Sequence, residues 1–382
     1  MADTPNDEHA STFTPPAPPQ RSKKDRRNTL IAVGVAIIIV VFIFGFVLPS
    51  VIDYETVIDV LQGLEPIDYA LIIGAGLFLY VPEGALYASL MPGMGLRRGM
   101  SAWVGSTAVS TTVPGADLVV RYGMYRSWGF GVERTMLGIV LSGLFDNIVK
   151  FTLPAIAVIV FALSGQDLGD VVWVAIIALG VVILGALVIV GMIRSESFTK
   201  WIAEQSERIA NWGLGKIKRD PVEGLSERVV GFRDLAIDIV KDRGLAALFF
   251  SATGKLWAFV MLTLSLRIVG IDESILSLGQ IFVVWVLVLL ITAIPITPGG
   301  IGIAAIAYIG FFSAIAGEQY ANAIAAGIVL FRLAQWFLPI PIGWVSVGLW
   351  RRQITQGELP DPFVLEGAQG ADDDASDQSA GQ

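Results

Sequence analysis

Thr297-Pro298-Gly299-Gly300-Ile301-Gly302 interrupts an otherwise unbroken apolar stretch running from about Leu278 to Ala316. Bilayer lipid cannot hydrogen-bond a freed backbone, so a break at this place must be buried in protein or line a water-filled cavity. A second break, Val113-Pro114-Gly115-Ala116-Asp117, lies in the first half of the chain with apolar or small residues on either side. Paired interruptions in corresponding positions of two halves are the best sequence pointer to a membrane transporter's binding site.

The composition around these breaks fits a membrane setting. Of 382 residues, 54% are hydrophobic and 16% charged, with a mean hydropathy of +0.68, whereas a soluble domain carries about a quarter charged residues. The expected fold class is therefore all-α and polytopic. One transmembrane domain spans residues 30–352, between a polar tail over 1–29 and an acidic tail over 353–382. Both tails are expected to be disordered and cytoplasmic. The net charge of -8 resides mainly in Asp53 to Asp68 and Asp372 to Asp377, so it describes loops and tails rather than a site, and no nucleic-acid partner is expected. Cysteine is absent and the one histidine is His9, in a proline-rich terminus. Zinc sites and Ser-His triads have nothing to draw on, and no metal or cofactor is expected. Carboxylate chemistry inside the membrane is the enzymatic alternative that remains.

Charge placement sets the topology. Arg21-Ser22-Lys23-Lys24-Asp25-Arg26-Arg27 precedes a first span over Leu30 to Leu48 and puts the amino terminus inside. Tyr69 to Met91 returns inward to Arg97-Arg98. Were Ser101 to Trp128 to cross once, Arg121, Arg126 and Arg134 would gather outside. A turn at Pro114-Gly115 instead keeps them inside, as a re-entrant hairpin whose first arm carries Ser101, Ser106, Thr107, Ser110, Thr111 and Thr112. Those hydroxyls can satisfy freed backbone groups or line a polar path. Thr135 to Leu163 then crosses outward, with Pro154 as a kink point, and Val171 to Ile193 returns. Residues 194–244 form a cytoplasmic loop with an amphipathic pattern around Trp201, Ile202, Gln205, Ile209 and Trp212, which suits the membrane interface or the protein's own surface. Leu245 to Gly270 crosses outward, with Arg267 near enough to its end to snorkel. A second hairpin enters from the opposite face and turns at Pro298-Gly299-Gly300. Asn322 to Trp350 crosses inward, bent at Pro339 and Pro341. The expectation is about six full transmembrane helices and two oppositely oriented re-entrant hairpins in an inverted repeat; eight simple spans are the alternative.

Ionisable residues inside the spans are the functional signal. Each costs about 2.5 to 3.5 kcal/mol at a helix centre, so Glu83, Asp117, Arg121, Asp146, Lys150, Lys255 and Arg332 must pair or face water. Asp117 with Arg121 and Asp146 with Lys150 have the acid four residues before the base, the favourable order on a helix. Glu83 then faces Lys255 and Arg332, leaving one positive charge in excess, unless both are taken up in salt bridges to it. A cationic, hydroxyl-lined cavity beside two helix breaks suits an anionic lipid group.

The stretch from Val113 to Arg121, then Asp146, Pro298-Gly299-Gly300-Ile301-Gly302, and Phe331-Arg332-Leu333 followed by Trp336, Pro339 and Gly343 resembles the lysylphosphatidylglycerol synthase transmembrane-region family. This is the flippase-like membrane part of the multiple peptide resistance factor. The resemblance, over about Leu30 to Arg352, implies a lipid flippase or lipid-handling scaffold in the plasma membrane, with motif positions at Pro114, Gly115, Asp117, Arg121, Pro298, Gly299, Gly300 and Arg332. Ala304 and Ala305 stand where an acidic residue is common, and Ser142-Gly143 where a Glu-Arg pair is often seen. No aminoacyl-transferase domain follows Arg352, so lysine transfer to lipid is not expected of this chain. The expected partners are membrane lipids, either anionic phospholipid or a polyprenyl-phosphate-linked lipid, with a second copy or a partner synthase left open. Two alternatives stand beside non-enzymatic transport. One is an enzyme or accessory subunit of lipid-linked glycan metabolism using Asp117 or Asp146 as acid-base groups, and the other is a lipid-binding scaffold.

Overall fold

The computed structural model describes residues 54–112, 116–163, 225–292 and 301–362, with a few single positions between 180 and 204. The spans expected at Leu30 to Leu48 and Val171 to Ile193, both tails, most of the pattern around Trp201, and the breaks Pro114, Gly115, Pro298, Gly299 and Gly300 lie outside the described residues. Every regular element among the described residues is helical. In chain order these are α1 (Tyr54–Gln62), α2 (Pro66–Leu90), α3 (Leu96–Thr112), α4 (Ala116–Ser127), α5 (Val132–Leu163), α6 (Leu225–Ile268), α7 (Leu278–Ile291), α8 (Ile301–Ala316), α9 (Ala321–Arg332) and α10 (Pro339–Thr355).

Four stretches, Pro66–Leu90, Val132–Pro154, Ala236–Ile268 and Glu318–Thr355, are long and apolar enough to cross a bilayer. They coincide with the spans expected from Tyr69, Thr135, Leu245 and Asn322, and the chain is a multi-pass, all-helical membrane protein. Between the first two stretches stand α3 and α4, of 17 and 12 residues; between the last two stand α7 and α8, of 14 and 16. At 1.5 Å per residue these four helices are about 18 to 26 Å long, short of the roughly 30 Å hydrocarbon core. Each short helix packs against its partner across the break, so both halves read long helix, paired short helices, long helix.

Local chemistry fixes the ends. Pro66 occupies the first turn of α2, where its missing N–H costs nothing, and the Glu65 backbone N–H donates to Asp68 Oδ2 at 3.0 Å. Ser277 caps α7 in a reciprocal arrangement with Gln280. Arg267, expected to snorkel, instead fastens the turn after α6, donating to the carbonyls of Ile271 at 2.7 Å and Leu276 at 2.9 Å and pairing with Glu273.

Two boundaries differ from the sequence expectation. The span expected from Leu245 is the second part of a helix that begins at Leu225, because no proline interrupts the polar, amphipathic turns that lead into it. Where a bend is expected at Pro339 and Pro341, the helix is interrupted just earlier, by a π-helical turn over Leu333–Phe337. Pro339 has no N–H and its ring crowds the carbonyl four residues back, and the wider turn accommodates both effects before α10 starts. Pro154 lies inside a continuous α5.

Trp285, Phe312, Phe331, Met261, Leu262 and Leu266 make the fully buried centre, while Phe78, Val140, Phe249, Val345 and Leu349 are exposed, as suits surfaces facing acyl chains. Helix α2 meets α3 through small residues. A Cβ at Gly84 would stand 2.7 Å from Met100 Cα, and the obstructing atom is backbone. Gly84→Ala is accordingly expected to destabilise the protein by about 1–3 kcal/mol, the usual cost of overpacking, read as an earlier unfolding transition in detergent.

Candidate functional site

Helices from both halves enclose a cavity of about 460 Å³. Glu83 comes from α2, Trp103 and Thr107 from α3, Arg121 from α4, Ser142, Asp146 and Lys150 from α5, and Lys255 from α6. The second half, to which α6 and Lys255 belong, adds Trp285 from α7, Tyr308 from α8, Arg332 from α9, and Gln335 and Trp336 from the π-helical turn. Six of the seven ionisable residues singled out in the sequence thus line one space, and the seventh, Asp117, binds Arg121 from behind.

The Asp117–Arg121 pair forms as spaced, at 2.8 Å. A second guanidinium nitrogen of Arg121 donates to Ser142 Oγ at 3.1 Å, and the group lies 5.1 Å from the centre of the Tyr87 ring. Ser142, one of the residues that depart from the family pattern, thus takes part in holding Arg121.

The expected Asp146–Lys150 pair is not formed. Lys255 reaches across from α6 and sets its ammonium 2.5 Å from Asp146 Oδ1 and 3.6 Å from Glu83 Oε1. The close approach of Glu83 depends on the neighbouring glycine, since a Cβ at Gly254 would stand 2.8 Å from Glu83 Oε1. One ammonium therefore answers two carboxylates from three helices, and Lys150 makes no ion pair with a described residue.

With Glu83 engaged by Lys255, the salt bridge considered between Glu83 and Arg332 does not form either. Arg332, 9% exposed, donates to Gln335 Oε1 at 3.2 Å and lies 5.6 Å from the centres of the Tyr308 and Phe331 rings. No carboxylate among the described residues pairs with it, and its Nε is buried without a partner. Counting Asp117, four cations meet three carboxylates, which leaves the one positive charge in excess that the sequence implied, although through different partners.

The hydroxyls of α3 fall into two groups. Ser106, Ser110 and Thr111 donate to the carbonyls of Trp103, Thr107 and Ala108 in their own helix, and of this set Thr107 reaches the cavity wall. Sequence reasoning missed Tyr308 and Gln335. A polar residue three positions after Arg332 in an apolar span was a usable sign for Gln335; Tyr308 carried no comparable mark.

The sequence model for the lysylphosphatidylglycerol synthase TM region matches residues 30–343. No curated protein matches the chain. The match covers the greater part of the sequence and contains the whole cavity wall, and the chain belongs to that family.

Proposed function

We propose that this family member moves an anionic lipid between leaflets, binding the headgroup phosphate of a phospholipid or a polyprenyl-phosphate-linked lipid in the central cavity. The observation that carries the reading is Arg332, a buried cation with no carboxylate partner among the described residues, in a wall that bears one surplus positive charge. A buried charge is retained at this cost where something in the site uses it. Guanidinium and phosphate match bidentately, and Arg332 stands on the cavity wall beside Gln335.

Transport rather than chemistry is supported by the state of the carboxylates. Asp117 and Asp146, the acid-base candidates of an enzymatic reading, are each held by a base. The short helix pairs α3–α4 and α7–α8 act in this proposal as re-entrant hairpins of opposite orientation, and rocking of one half against the other exposes the cavity to each side in turn. The plasma membrane, with both termini cytoplasmic, is the proposed setting.

Reconstituted vesicles test it. Fluorescent phosphatidylglycerol is expected to equilibrate between leaflets in vesicles holding the protein and to remain in place in protein-free vesicles. A chemically altered lipid product would favour the enzymatic reading, and neither movement nor product would leave a scaffold.

A further inference from the structure

A second cavity, of about 560 Å³, lies between α2, α3 and α10 and shares no wall residue with the central one. The Tyr80 and Trp103 rings, 5.3 Å apart, stand between them, Trp103 on the central wall and Tyr80 on the other. Its walls are apolar along Val104, Ile342, Val345 and Leu349. Val345 and Leu349 are 62% and 58% exposed, so the groove opens sideways, toward acyl chains.

Three polar features line this groove beside its apolar wall. Arg97 and Arg98 occupy the first turn of α3, which holds no acid; cations there oppose the helix dipole. Neither arginine makes an ion pair with a described residue, and Arg98 lies 5.6 Å from the Trp128 ring centre. At the base, Tyr80 is 5% exposed and its hydroxyl is buried without a hydrogen-bond partner. Two exposed arginines free of carboxylate partners among the described residues, at the head of an apolar groove, describe the complement of an amphiphile with an anionic head.

We infer that this groove is a second lipid site, in which an anionic phospholipid from the adjoining leaflet sets its phosphate against Arg97 and Arg98 and lays acyl chain along α10. The site does not depend on transport through the central cavity. The exposed apolar lip commits the occupant to lipid rather than to a free anion.

The test measures binding of phosphatidylglycerol and of phosphatidylcholine to the full chain in detergent by native mass spectrometry. It is done on Arg332→Gln protein so that the central cavity contributes less. Adding Arg97→Gln and Arg98→Gln is expected to weaken phosphatidylglycerol about tenfold or more, the loss of one good charge-assisted contact, and to weaken phosphatidylcholine less, because its choline cation offsets the charge of the same phosphate. Val345→Trp, which fills the open groove from an exposed position, should weaken both lipids while the arginines stay in place. Unchanged phosphatidylglycerol binding in both variants overturns the proposal, and so does displacement of the lipid by an equal concentration of inorganic phosphate. Either result leaves the central-cavity reading to stand or fall on the vesicle assay.

Discussion

Arg332→Gln is expected to slow phosphatidylglycerol movement in reconstituted vesicles about tenfold or more while leaving the protein as stable as the parent, or more so. The two halves of that expectation have one cause. Arg332 has no carboxylate among the described residues to neutralise it, so its burial is a cost to the folded state rather than a contribution. Glutamine keeps a donor near Gln335 and removes the charge, and no acid is left orphaned. A lipid phosphate loses a charge-assisted contact of about 1.5–3 kcal/mol, and about 1.4 kcal/mol is a factor of ten. Transport rates and detergent unfolding, measured on the same preparations, check both. Parental transport rates in well-folded Arg332→Gln protein would remove Arg332 from the headgroup site. Loss of transport accompanied by loss of stability would instead make Arg332 a structural cation.

The coarse plan of the molecule was legible because the bilayer imposes it. Lipid forces each long apolar run to be helical and each proline-glycine break to be sheltered, so the order of α2, α3–α4, α5 and α6, α7–α8, α9–α10 follows from where such runs start and stop. Charge inside those runs was equally legible, since an ionisable residue there must face the interior, and six such residues did converge on one cavity. Partner choice was not. Spacing along one helix suggested Asp146 with Lys150, but the residue opposite Asp146 is decided by how α5 packs on α6, and that packing brings Lys255. The packing of α2 on α6 likewise engages Glu83 with Lys255 in place of Arg332. The π-helical turn was hidden for a related reason: proline 339 announces that a helix is disturbed, while the turn that absorbs the disturbance lies on its amino-terminal side and carries no residue signature of its own.

Lys255→Met should have the opposite profile to Arg332→Gln, with a large loss of stability. The Lys255 ammonium is the one base paired with Glu83 and Asp146 among the described residues, at 3.6 and 2.5 Å. Methionine fills nearly the same volume, so packing is conserved and the effect isolates the charge. What remains is a pair of carboxylates on α2 and α5 facing one another in a low-dielectric wall. Breaking a buried pair from one side costs about 3–5 kcal/mol, because the uncompensated charge stays behind. The loss should appear as a markedly lower unfolding midpoint in detergent. Combining Lys255→Met with Glu83→Gln and Asp146→Asn removes the stranded charges and should return most of that stability, since an uncharged wall of similar shape has nothing to compensate. Comparing the triple variant with the single one separates this from simple loss of packing: if the triple variant unfolds as early as Lys255→Met alone, the lysine stem and not its charge joins α6 to α2 and α5. Recovery would identify the Glu83–Lys255–Asp146 cluster as the clasp between the two halves, leaving Arg332 and Lys150 as the wall cations available to a ligand.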